Sequence, residues 1–148
     1  MGEKSGQTQI SFGVIFSIIL IILFISFAVY GISKFMAAAN LAKFEKFKSD
    51  FQEDIDKMWR STQGSQKVEY IIPAKINQVC FQDQEDGNMY FTPQEKYREV
   101  VLLENLDITK TVAGSTGYPK KLCIQTDNGK VSMTIKKQYN ENLVTIAR

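Results

Sequence analysis

The sequence predicts an α+β protein in which one long N-terminal helix, apolar in its first half and amphipathic in its second, packs on a small, mainly antiparallel sheet. Three observations carry this expectation. Residues 10–33 contain no charged side chain and are dominated by Ile, Leu, Phe and Val. Apolar residues then recur at steps of three and four from Leu41 to Met58, which is one face of a helix. Beyond Gly64 the apolar residues alternate at period two between turn signals, as strands do.

Residues 1–9 form a short polar head, and residues 10–33 follow as a transmembrane helix. About two dozen helical residues rising roughly 1.5 Å each match a hydrocarbon core of about 30 Å. Ala37, Ala38 and Ala39 are the kind of small triplet that a signal peptidase accepts. The apolar run is nevertheless about twice the length of an ordinary secretory h-region, which favours a retained span. Within it, Gly13 and Ser17 form a small-xxx-small pair that lets another membrane helix approach closely. Ser17, Ser26 and Ser33 can equally bond back to their own helix.

Residues 34–63 continue the helix into water. Leu41, Phe44, Phe47, Phe51, Ile55 and Met58 line one face, with Trp59 alongside, and this stripe of large rings needs a sheet to lie on. The other faces interleave Lys, Asp and Glu, with Lys46/Asp50, Glu53/Lys57 and Asp56/Arg60 spaced for i,i+4 pairing. Carboxylates spread this way read as a solvated face, not as a catalytic set. Thr62-Gln63-Gly64 supplies the stop, with Gly64 expected in the left-handed cap position.

Residues 64–148 read as a β-rich head. Val68, Tyr70 and Ile72 alternate up to Pro73, and Val79 and Phe81 mark a second strand. Asp86-Gly87 signals a hairpin into Met89-Tyr90-Phe91. Thr92-Pro93-Gln94-Glu95 has the form of a capping box opening a short helix, while the apolar run from Val100 to Leu103 suits helix and strand equally. Asn128-Gly129 predicts a type I′ hairpin joining residues 122–126 to 131–137, with Asp127 opposite Lys130. That register places Leu122, Ile124, Val131, Met133 and Ile135 on one face. Residues 143–147 form a last strand.

Cys80 and Cys123 each fall on the polar phase of their strand's alternation. Two cysteines on the same kind of face in different strands can form one disulfide, closing a loop of about 40 residues. Such a bond places the domain outside the cytoplasm.

Composition narrows the chemistry. The chain has no histidine and two cysteines, which leaves neither the commonest general base nor a Cys/His zinc site. A formal net charge of +2 from nearly balanced acids and bases does not point to nucleic acid. Residues 113–120 have the composition of a phosphate loop without its Gly-Lys-Ser/Thr ending, and Gly87 cannot be the sixth position of a calcium loop with acidic first and third residues. No nucleophile, base and orienter can be assembled, so neither enzyme activity, nor a cofactor, nor a metal is expected.

Ahead of the span, Lys4, Gly6 and Gln7 precede a Ser-containing start, Ser11, to a long apolar helix. This arrangement resembles the class III signal of archaeal type IV pilin-like proteins, over about the first 25 to 30 residues. The resemblance implies processing between Gly6 and Gln7, with Gln9 and Ser11 offering a second register. It implies a membrane-anchored structural subunit that exposes a small domain outside the cell. Its partners would be membrane lipid and, through the N-terminal helix, copies of itself or another membrane protein. Pilins of this type carry a glutamate near the fifth mature position, where this chain has Ser11 or Gly13. That departure favours the alternative, a single-pass envelope accessory or binding protein that does not polymerise. Lys34, Lys43, Lys46 and Lys48 after the span, against Lys4 before it, argue for a cytoplasmic head. Export with a short head left inside argues the other way, and an extracytoplasmic head is the expectation.

Overall fold

The computed structural model describes residues 12–93 and 99–148. Its first element is α1 (Phe12–Arg60), 49 residues long. The chain divides into two compact units, residues 1–39 and 40–148, and α1 contributes to both.

In the first unit the described residues are all helical and expose their apolar side chains, from Leu20 at 37% to Phe12 at 82%. The stretch is long and apolar enough to cross a membrane.

In the second unit α1 lays Phe44, Phe47, Phe51, Ile55 and Met58 into the core. Leu41 departs from the expected docking face: it is 62% exposed. The reason lies in the rings, whose contacts begin one turn later, where Phe44 meets Phe91 edge-on at 4.8 Å. Phe47 and Phe51 both meet Tyr70, at 5.4 and 5.5 Å, and Phe51 also reaches Phe81 at 6.1 Å.

The helix ends differently from the sequence reading. Gly64 does not adopt a left-handed conformation but opens β1 (Gly64–Ile71). Carbonyls at this end of the helix are met by Ser61 and Lys137 instead. Ser61 donates to the Met58 carbonyl through its N–H at 3.1 Å and its hydroxyl at 2.6 Å. The Lys137 ammonium donates to the carbonyls of Trp59 and, at 2.8 Å, Ser61. A cation at this end also complements the negative pole of the helix dipole.

The remaining elements are β2 (Gln78–Gln84), β3 (Gly87–Thr92), α2 (Ile108–Val112), β4 (Leu122–Gln125), β5 (Lys130–Lys137) and β6 (Thr145–Ala147). They build two antiparallel three-stranded sheets, ordered β1-β5-β6 and β3-β2-β4, where the sequence suggested one. The division falls at the Asn128-Gly129 turn. Both residues have positive φ, 49° and 76°, and Asp127 and Lys130 exchange hydrogen bonds of 2.8 Å, as a type I′ turn requires. Beyond that pair the expected hairpin does not continue: β4 pairs with β2, and β5 pairs with β1 over eight residues. The chain is captured on both sides of the turn. Ile72 N–H donates to Gly129 at 2.9 Å, and Thr126 N–H donates to Asn77 at 3.0 Å. The expected facing survives the change of partners, since Ile124, Val131, Met133 and Ile135 are all buried and Leu122 is partly so.

The segment after residue 99 is irregular but well tied. Val101 exchanges bonds with Met89, and Leu106 forms a bridge with Val144. Asn88 is buried, and its side-chain amide takes the place of a strand neighbour: Nδ2 donates to the Leu103 carbonyl and Oδ1 accepts from the Leu103 N–H, both at 2.8 Å. Gly87 permits this approach, because a Cβ there would stand 2.8 Å from the Val101 carbonyl. Asp107 caps α2 by accepting from Lys110 N–H at 2.9 Å. Gln94 and Glu95 of the expected capping box lie outside the described residues.

Candidate functional site

The most distinctive surface of the first unit is the apolar helix itself. Its only polar side chains between Phe12 and Ser33, apart from Tyr30, are three serines, and each hydroxyl donates to the carbonyl four residues back: Ser17 to Gly13 at 2.8 Å, Ser26 to Ile22 at 2.8 Å and Ser33 to Val29 at 2.9 Å. Each serine hydroxyl is thereby satisfied within the helix, which is the condition for placing such a residue in hydrocarbon. At the far end of the apolar run, the Lys34 ammonium stands 5.5 Å over the Tyr30 ring. An aromatic and a lysine together at the end of a span suit the lipid headgroup layer. Gly13 and Ser17 are both exposed on this helix, and Gly6 and Gln7 lie outside the described residues.

In the second unit Cys80 and Cys123 stand directly opposite each other in β2 and β4 and are joined by a disulfide, 43 residues apart in sequence. Cys80 is not on an exposed polar face as its strand alternation suggested. It is 1% exposed, between Val79 and Phe81 at 0%, so β2 is buried on both sides. The physical reason is its central place in the sheet: Tyr90 of β3 and Cys123 of β4 flank it on either side. A disulfide suits an oxidising compartment.

A surface cleft of about 590 Å³ opens beside α2 and β6, lined by Lys110, Thr111, Ser115, Lys121, Glu141 and Arg148 among others. Several of its polar groups are already engaged in holding the fold, while the buried Glu141 Oε2 has no hydrogen-bond partner among the described residues. Thr111 Oγ1 accepts from Ile146 N–H at 3.2 Å, and Ser115 Oγ donates to the Val112 carbonyl at 2.6 Å. Lys110 donates to Glu141 at 2.8 Å, and this bond, more than any other influence, raises the lysine pKa. Among the described residues no group of three or more His, Cys, Asp or Glu side chains could hold a metal ion.

Three polar anchors escaped sequence reasoning. Tyr70 OH donates to Asp54 Oδ2 at 2.7 Å, and burial, then this bond, push the phenol pKa upward. Gln52 and Asp56 of α1 hold the turn at Glu104 and Asn105: Gln52 Oε1 accepts from Glu104 N–H at 3.0 Å, and Asp56 Oδ1 accepts from Asn105 Nδ2 at 2.9 Å. Asn105 takes a positive φ of 60° there. The third is Asn88, and an asparagine inside the apolar run of β3 is a signal that could have been read.

No family model, curated protein or solved structure matches the chain. The class of protein therefore follows from the fold: an α+β chain with an apolar N-terminal helix compatible with a membrane anchor and a head bearing one disulfide.

Proposed function

We propose that the protein is a single-pass membrane-anchored structural subunit of pilin-like design, with its α+β head outside the cytoplasm. One observation supports this reading above the others. The same chain pairs an exposed apolar helix, its serines satisfied internally, with a disulfide in the head. The first favours lipid as the helix's surroundings, and the second favours an oxidising compartment for the head. The polar start around Lys4, Gly6 and Gln7 adds the resemblance to a class III signal. In this role the helix anchors the subunit and offers its Gly13/Ser17 surface to lipid or to other membrane helices. The disulfide and the ring stripe keep the head folded where reducing systems and chaperones are scarce.

The absence of glutamate at Ser11 and Gly13 favours a second reading, an envelope accessory or binding protein with the same anchor that does not polymerise. Alkylation of unreduced cells with a mass-tagging maleimide tests the shared part. Blocked thiols at Cys80 and Cys123 are expected, and free thiols would place the head in the cytoplasm. Intact mass of the membrane-extracted chain, and filaments or their absence in membrane shear fractions, separate the two readings.

A further inference from the structure

β1 is an edge strand, and among the described residues nothing pairs with its second side. The Ile72 to Gly129 bond and the β1/β5 register turn the backbone groups of Gly64, Gln66, Val68 and Tyr70 toward β5. Those of Ser65, Lys67, Glu69 and Ile71 therefore turn outward. Each of the other edges has backbone groups already met: Thr111 takes the Ile146 N–H of β6, Arg148 donates to the Cys123 carbonyl of β4 at 2.9 Å, and Val101 pairs with Met89 of β3. Ser65, Lys67, Glu69 and Ile71 are all exposed, Ile71 by 63%. An uncovered strand edge of this length is a template for another strand.

We infer that the occupant is the β1 edge of a second copy of this chain, paired antiparallel about a two-fold axis at Val68. The sequence of the edge selects both partner and register. An axis at Val68 sets Lys67 opposite Glu69 of the second copy, and Glu69 opposite its Lys67, with Ser65 opposite Ile71 at each end. All four residues point their backbone groups outward, so each opposed pair exchanges both hydrogen bonds. The neighbouring registers fail on stated grounds. An axis at Lys67 opposes two lysines, and one at Glu69 opposes two glutamates. An axis at Tyr70 brings Lys67 opposite Pro73, which has no N–H, and one at Gln66 leaves Glu69 beyond the start of the opposing strand. Axes between residues set outward groups against inward ones. Glu69 already holds Lys130 through Oε1 at 2.9 Å, which leaves Oε2 for the arriving ammonium. The pairing is isologous and closes as a dimer. It does not rest on the membrane reading, because only residues of the head take part.

Sedimentation of the detergent-solubilised full chain over a concentration series tests the pairing. The wild type is expected to dimerise. K67E and E69K each set like charges opposite one another twice, and each should raise the midpoint concentration of the dimer by roughly tenfold or more. The double variant K67E/E69K restores opposite charges and should recover wild-type association, and an equimolar mixture of the two single variants should pair unlike chains. E69K also removes the exposed Glu69–Lys130 pair, so unfolding read below the dimer midpoint, with each variant within a few degrees of wild type, serves as the folding control. A monomeric wild type overturns the inference, as do single reversals that dimerise like wild type or a double variant no tighter than the singles.

Discussion

Replacing Phe51 with alanine should nearly unfold the head, whereas replacing Leu41 should leave it unchanged. Both residues belong to the same three-and-four stripe in the sequence, but Phe51 is fully buried and Leu41 is 62% exposed. The Phe51 ring stacks on Phe47 at 5.6 Å and meets Tyr70 and Phe81 at 5.5 and 6.1 Å, so its loss empties the point where α1 touches both sheets. Deleting a buried Phe costs about 3–5 kcal/mol through lost transfer energy and the cavity left behind. The three ring contacts keep Phe51→Ala off the lower end of that range, at about 4 kcal/mol. At about 4–8 °C per kcal/mol for a domain of this size, the midpoint should fall by roughly 15–30 °C. Leu41→Ala removes no buried contact and should stay within about 0.5 kcal/mol. The chain's one tryptophan, Trp59 in the last turn of α1, reports the unfolding by fluorescence in detergent. A Phe51→Ala loss under about 1 kcal/mol, or equal losses for both variants, would refute the assignment of the docking face.

Three further outcomes are expected. Asn88→Ala strands the N–H and carbonyl of buried Leu103 and should cost about 2–4 kcal/mol in denaturant unfolding, with the amide of Leu103 losing hydrogen-exchange protection. The double variant Cys80→Ala/Cys123→Ala should lose about 4 kcal/mol, since a separation of 43 residues sets the loop entropy that the bond removes from the unfolded chain; equal denaturant midpoints for oxidised and reduced protein would contradict it. Tyr70 holds its proton more tightly folded than unfolded, so stability is complete below the unfolded tyrosine pKa of about 10 and falls as pH rises above it. Tyr70→Phe should flatten that alkaline decline, and an unchanged pH slope would remove Tyr70 as its source.

What the sequence discloses and what it conceals divide along physical lines. The apolar run, the ring stripe from Phe44 to Met58 and the inward faces of β1, β4 and β5 were legible because burial imposes a period on local sequence. The Asn128-Gly129 turn was legible because positive φ at two positions restricts residue choice. The partners of β4 and β5 were not, since one turn geometry serves a continuing hairpin and a pair of diverging strands, and the decision lies with Asn77 and Ile72, distant in sequence. The pairing of Cys80 with Cys123 followed from their number, but the burial of Cys80 depended on β3 and β4 flanking β2, which alternation within one strand cannot report. Gly64 misled because a glycine after a helix usually caps it, whereas here Lys137, remote in sequence, closes the helix end.

The central claim is that the exposed apolar half of α1 lives in lipid while the disulfide-bonded head remains folded in water. Phase separation of a nonionic detergent solution of the full oxidised chain tests it most directly. The account predicts that the intact chain enters the detergent-rich phase with the head still resistant to protease, and that arginine at Ile18, Leu20 and Ile22 together returns it to the aqueous phase. An intact chain that stays in the aqueous phase would contradict the account.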